Sequence, residues 1–147
     1  MGITIMKNKF NHPLMENNIT KSDINKVIEF LKKNPILTQN KMVKKFEEDW
    51  SKWLGTKYSV MVNSGSSANF LSILSLKLIY QKNKSKKEII VPPLTWISDI
   101  VSVVSNNFKP IFVDIDFKNL AMDPEKILKK INKNTFAIFL THAQGFN

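Results

Sequence analysis

From residue 58 to residue 140 the chain alternates short, continuous apolar runs with segments of helical periodicity, and this limits the fold more than any other feature. The runs YSVMV, EIIV, PIFV and FAIFL (58–62, 88–91, 110–113 and 136–140) do not alternate apolar with polar residues. A strand that is apolar on both sides has to be covered on both sides, as in a parallel sheet flanked by helices. Helical patterns occupy the intervals, at 66–80, 95–105 and 124–131. The expectation is an α/β chain with a largely parallel sheet.

Two helices are expected before the first run. One spans 22–33, with Ile24, Val27, Ile28 and Leu31 at helical spacing and Ser22 in the N-cap position. The other spans 38–54, where Met42, Val43, Phe46, Trp50, Trp53 and Leu54 form one apolar stripe closed by Gly55. Such a stripe reads as packing, not as a ligand site. Residues 1–20, with His12 and Pro13, read as an extended arm, and 21–147 as one domain portion.

A length of 147 residues suits a single domain. No apolar run approaches the roughly 18 residues of a membrane span. The sequence contains no cysteine, and MGITIMKNKF lacks the features of a secretory signal, so a cytoplasmic protein is expected. The formal charge of +10 raises the alternative of a basic, noncatalytic nucleic-acid-binding domain. Against it, all 22 basic residues are lysines spread along the chain, and arginine, which supplies bidentate forks for bases and phosphates, is absent. The densest run, KNKSKK at 82–87, reads as a surface loop.

In open parallel sheets the ligand crevice lies outside the carboxyl ends of the strands. The residues that follow the runs are Asn63-Ser64-Gly65-Ser66-Ser67, Pro92-Pro93-Leu94-Thr95-Trp96, Asp114-Ile115-Asp116 and Thr141-His142-Ala143-Gln144-Gly145. The first group opens a helix, where unpartnered N–H groups and the helix dipole favour an anion, Gly65 permits a tight turn, and Ser66 and Ser67 add hydroxyls. Those residues alone fit a phosphate cradle and an ordinary capped turn equally well. Neither G-x-x-x-x-G-K-[ST] nor G-x-G-x-x-G occurs, since the glycines are Gly2, Gly55, Gly65 and Gly145, and a Rossmann-like nucleotide domain is correspondingly disfavoured. Trp96 offers a flat apolar face for a ring above the sheet. A phosphate and a ring together describe pyridoxal phosphate.

NSGSSAN, PPLTW, PIFVDID and THAQG, in that order, with LTQNKMVKKFEEDWSKWLG before them, resemble the DegT/StrS family of pyridoxal-phosphate-dependent sugar aminotransferases. The resemblance runs from about Lys21 onward. It implies part of the large domain of a fold-type I transferase, with Gly65, Ser66 and Ser67 at the cofactor phosphate and Trp96 stacked on the pyridine ring. His142 would lie at the crevice edge, near cofactor or sugar, or serve only as a hydrogen-bonded strand-end residue. Asp114 and Asp116 belong to the family's pattern and cap turns or, less often, touch ligand. No metal is implied.

The family's Schiff-base lysine and its ring-nitrogen carboxylate both follow the histidine motif, so they are expected beyond Asn147, and no catalytic residue is expected within the chain. On this reading the chain is the N-terminal part of an aminotransferase acting on a nucleotide-linked keto-sugar with an amino-acid donor. The setting would be cell-surface polysaccharide or deoxyaminosugar synthesis, the assembly a homodimer, and nucleic acid and membrane would play no part. Alone, the chain would bind cofactor weakly or not at all, remain inactive, and expose a sheet edge and an apolar face. The spelling NSGSSAN also resembles sugar 3-dehydratases of the same family, which use pyridoxamine phosphate and carry histidine in place of the lysine.

Overall fold

The computed structural model describes residues 17–80 and 86–145, in two compact units divided in sequence between Ser59 and Val60. His12, Pro13 and most of the expected arm, together with residues 82–85 of the basic run, lie outside the described residues.

The first unit holds α1 (Lys21–Lys32) and α2 (Lys41–Leu54). The cap of α1 is Thr20, not Ser22. The N–H of Asp23 donates to the Thr20 hydroxyl oxygen at 3.2 Å, and the N–H of Thr20 donates to the Asp23 carboxylate at 3.0 Å, a reciprocal capping box. The Thr20 hydroxyl, which donates to the Asp23 carboxylate at 2.7 Å, and after it the Thr20 N–H hold the Asp23 carboxyl below its ordinary value. Helix α2 starts later than the apolar pattern does, because Asn40 caps it, its side-chain oxygen accepting from the N–H of Lys41 at 2.8 Å. Gly55 ends it in the left-handed region at φ 76°. The apolar stripe stays largely exposed. Its aromatic rings instead pack on one another along the helix, Phe46 on Trp50 at 5.9 Å and Trp50 on Trp53 at 4.9 Å.

The second unit runs α3 (Gly65–Tyr80), β1 (Glu88–Val91), α4 (Ile97–Ser105), β2 (Lys109–Phe112), α5 (Pro124–Lys130), β3 (Thr135–Ile138) and a 3-10 turn (Ala143–Gly145). Its sheet has the order β2-β1-β3, and both pairings are parallel. The central strand explains its own sequence. Ile89 and Val91 face a core with Ile73, Val103 and Phe108, while Ile90 faces the opposite core with Val113 and Met122. All three side chains of the run IIV are therefore buried, as a strand covered on both faces requires.

The run 58–62 does not form the expected strand. Strand formation needs a ladder partner. The sheet order leaves none for this run, and Tyr58 and Val60 remain more than three-quarters exposed.

Candidate functional site

The sheet brings the carboxyl ends of β1 and β3 side by side. From β1 the chain passes to β2 on one side, and from β2 it crosses back to β3 on the other, so the loops that follow β1 and β3 leave neighbouring carboxyl ends. Thr95, in the first loop, and Thr141, in the second, meet there with their hydroxyl oxygens 2.7 Å apart. Trp96 follows Thr95 and His142 follows Thr141, so both expected rim residues stand at this edge. Trp96 occupies the N-cap of α4 in extended backbone, makes no side-chain cap bond, and is 74% exposed. His142 is exposed, and its carbonyl accepts from the N–H of Gly145 at 3.0 Å in the 3-10 turn.

The turn into α3 is organised by its own side chains. The Ser64 hydroxyl oxygen accepts from the N–H of Ser67 at 3.2 Å, and the Ser67 hydroxyl donates to the side-chain oxygen of Asn63 at 2.6 Å. Among the described residues no hydrogen bond uses the N–H of Gly65 or Ser66. Two donors thus remain at the positive end of a 16-residue helix, beside an open hollow of about 460 Å3 lined in part by Asn63, Ser66 and Ser67. Gly65 is not needed for backbone freedom, since its φ lies outside the left-handed region. A Cβ placed there would meet nothing within 4 Å, so the space in front of the turn is open.

The link between this turn and the tryptophan loop was not foreseen from the sequence. Asn69, one helical turn beyond Gly65, donates from its side-chain nitrogen to Oδ1 of Asp99 at 2.6 Å. Oδ2 of Asp99 accepts from the hydroxyls of Thr95 and, at 3.0 Å, Thr141. The seam between α3 and α4 continues in the same polar style. Ser102 donates to the Ser98 carbonyl at 2.6 Å, and the Asn106 side chain donates to the carbonyls of Phe70 and Ser102 at 3.2 and 2.9 Å. Asp99, Ser102 and Asn106 are buried, whereas Ile97, Val101 and Val104 of the same helix are exposed. A signal existed: polar residues at 95, 99, 102 and 106 follow helical spacing and mark one face.

Asp114 and Asp116 stand apart, after edge strand β2. The Asp114 carboxylate accepts from the N–H of Ile115 at 2.9 Å and lies 3.7 Å from the Lys126 ammonium; that of Asp116 accepts from the N–H of Lys118 at 2.8 Å. Both shape the turn closed by the Ile115–Met122 bridge.

Residues 17–146 match the DegT/DnrJ/EryC1/StrS aminotransferase family. The chain belongs to this family. It is 34% identical over 137 residues to GDP-4-keto-6-deoxy-D-mannose 3-dehydratase of Yersinia pseudotuberculosis, covering 92% of this chain and 34% of that protein. It is 33% identical over 100 residues to dTDP-3-amino-3,6-dideoxy-alpha-D-galactopyranose transaminase of Aneurinibacillus thermoaerophilus, covering 68% of this chain and 26% of the relative. The fold matches E. coli GDP-4-keto-6-deoxy-D-mannose-3-dehydratase with bound hydrated PLP at a TM-score of 0.78 and 31% identity, over 88% of this chain and 33% of that one. The chain thus spans about a third of the length of the relatives it matches. Among the described residues, no helix of this family member is long and apolar enough to cross a membrane.

Proposed function

We propose that this chain supplies the phosphate-binding and ring-stacking side of a pyridoxal-phosphate site in a cytoplasmic aminotransferase that acts on a nucleotide-linked keto-sugar with an amino-acid donor. The observation that carries the reading is the pair of open N–H groups on Gly65 and Ser66, tied through Asn69 and Asp99 to the loop of an exposed Trp96. When bound, the cofactor supplies an electron sink. What these residues do is bind and orient. The α3 N-terminus would take the phosphate through N–H groups and the Ser66 hydroxyl, and Trp96 would offer its face to the ring. His142, at the adjoining loop, would face the sugar side. The exposed apolar side chains of Leu78, Ile79 and Tyr80 support association in a homodimer.

Titration of the chain with pyridoxal phosphate, with inorganic phosphate as competitor, tests the reading. Quenching of Trp96 emission that phosphate reverses is expected, with a dissociation constant on the order of 1 mM, because the remaining cofactor contacts of the family lie elsewhere. Quenching that persists in a Trp96→Phe chain, or that phosphate leaves unchanged, overturns it.

Similarity to the two 3-dehydratases favours a second reading, dehydration driven by pyridoxamine phosphate. An enzyme with histidine at the lysine position must retain its cofactor by non-covalent contacts alone. Binding of pyridoxamine phosphate about tenfold tighter than of pyridoxal phosphate favours the dehydratase; equal binding favours the aminotransferase.

A further inference from the structure

We propose that Asp99 is a positioning residue of this site, holding Trp96 and the two crevice loops in fixed relation to the phosphate-binding helix. The inference rests on the reading that Trp96 stacks on the cofactor ring, and it adds the device that orients the stack.

Trp96 has no side-chain anchor of its own at the N-cap, and its ring is mostly in solvent. Asp99 holds it from two sides. The backbone N–H of Asp99 donates to the Trp96 carbonyl at 3.0 Å, while its carboxylate accepts from the hydroxyl of the preceding residue, Thr95. The same carboxylate reaches the two other elements of the crevice, Asn69 of α3 and Thr141 after β3, which lie 30 and 42 residues away in sequence. One group therefore joins the phosphate helix, the tryptophan loop and the histidine loop.

The chemistry of the node favours a carboxylate over a smaller packing residue. Asp99 is 7% exposed and takes part in none of the ion pairs among the described residues, so neutral donors alone meet its charge. Burial of a carboxylate is unfavourable unless its oxygens are filled with hydrogen bonds. Here Oδ1 faces Asn69 and Oδ2 faces both threonines. Two hydroxyl protons serve the three contacts among Thr95, Thr141 and Oδ2: Thr95 donates to Oδ2, and the Thr141 proton is shared between Oδ2 and the Thr95 oxygen. The threonines thus move as a pair with the carboxylate. An alanine at 99 would fill part of the space and hold neither loop.

The test uses the chain with Trp50→Phe and Trp53→Phe, so that Trp96 is the single tryptophan, and adds Asp99→Ala or Asp99→Asn. Without ligand, time-resolved anisotropy is expected to show a larger local motion of Trp96 in Asp99→Ala at unchanged far-ultraviolet circular dichroism. Affinity for pyridoxal phosphate should fall about tenfold, the scale of losing hydrogen bonds to a charged group, while affinity for inorganic phosphate stays within about twofold. Asp99→Asn should fall between, because the threonine hydroxyls can turn to accept from the amide whereas Asn69 requires the remaining oxygen. Equal losses for the two ligands mark a purely structural role and overturn the proposal, as does a folded Asp99→Ala with unchanged Trp96 motion. If Asp99→Ala does not fold, Thr141→Val removes one arm and is expected to act in the same direction, by about threefold; no change overturns the proposal. If the parent chain does not respond to pyridoxal phosphate, the cofactor reading fails, and the anisotropy arm still decides whether Asp99 holds the tryptophan.

Discussion

The unit ending at Ser59 and the unit beginning at Val60 are both helix-rich, but different forces hold them. Among the described residues of the first, the Ser51–Ser59 side-chain hydrogen bond spans eight residues, and Ser51 is the one buried side chain of α1 and α2. Caps and ring stacking define its helices. In the second, a two-faced apolar core surrounds Ile89, Ile90 and Val91, and polar bonds span 29 to 46 residues. The difference teaches that local signals suffice to form helices, whereas a ligand crevice needs bonds that bring distant loops to one edge.

Substitution at the centre of the second unit is expected to have the largest effect. Ile90→Ala should destabilise residues 60–145 by about 3 kcal/mol, the usual scale for truncating a buried isoleucine, in urea unfolding followed by tyrosine and backbone probes. Retained α2 helicity at the midpoint of that transition would sharpen the contrast between the units; simultaneous loss would break it. Asn106→Ala removes donors to the Phe70 and Ser102 carbonyls and should cost about 2 kcal/mol in the same assay. Gly55→Ala forces a left-handed φ of 76° on a residue with a Cβ and should cost about 1 kcal/mol, read as loss of amide exchange protection confined to α2.

The smallest expected effect is a pH dependence. The bonds from Thr20 hold the folded-state carboxyl of Asp23 below its ordinary 3.8, so its contribution is present above that value and is lost as pH falls through the lower folded value. Helicity of α1 should therefore be level from neutral pH down to 3.8 and decline below it. The Asp23→Asn chain should lack this dependence. A decline that persists in Asp23→Asn would assign it to another group.

Much of the architecture was legible before any coordinates. The run EIIV at 88–91 is β1 to the residue, and the continuous apolar runs correctly signalled a parallel sheet covered on both faces. The run 58–62 misled because strand propensity records the preference of side chains for a pleated surface and says nothing about an available partner. The cap of α1 was placed at Ser22, just before the apolar pattern that starts at Ile24, whereas the reciprocal bonds of Thr20 and Asp23 require a spacing of three. The turn into α3 was legible as a turn in residue type, yet glycine is not required there by a special φ, and a Cβ would meet nothing within 4 Å. Asp99 was missed because its partners lie far away in sequence and nothing in a local window pairs them.

The central claim is that a phosphate and a ring meet the second unit at Gly65, Ser66 and Trp96. Two-dimensional amide spectra of the isotope-labelled chain, recorded as pyridoxal phosphate is added, test it most directly. The account predicts saturable shifts at the N–H groups of Gly65 and Ser66 and at the indole N–H of Trp96, with inorganic phosphate reproducing the first two and leaving the third in place. Shifts concentrated in residues 17–59, or at the surface lysines with Gly65 and Ser66 unmoved, would contradict it.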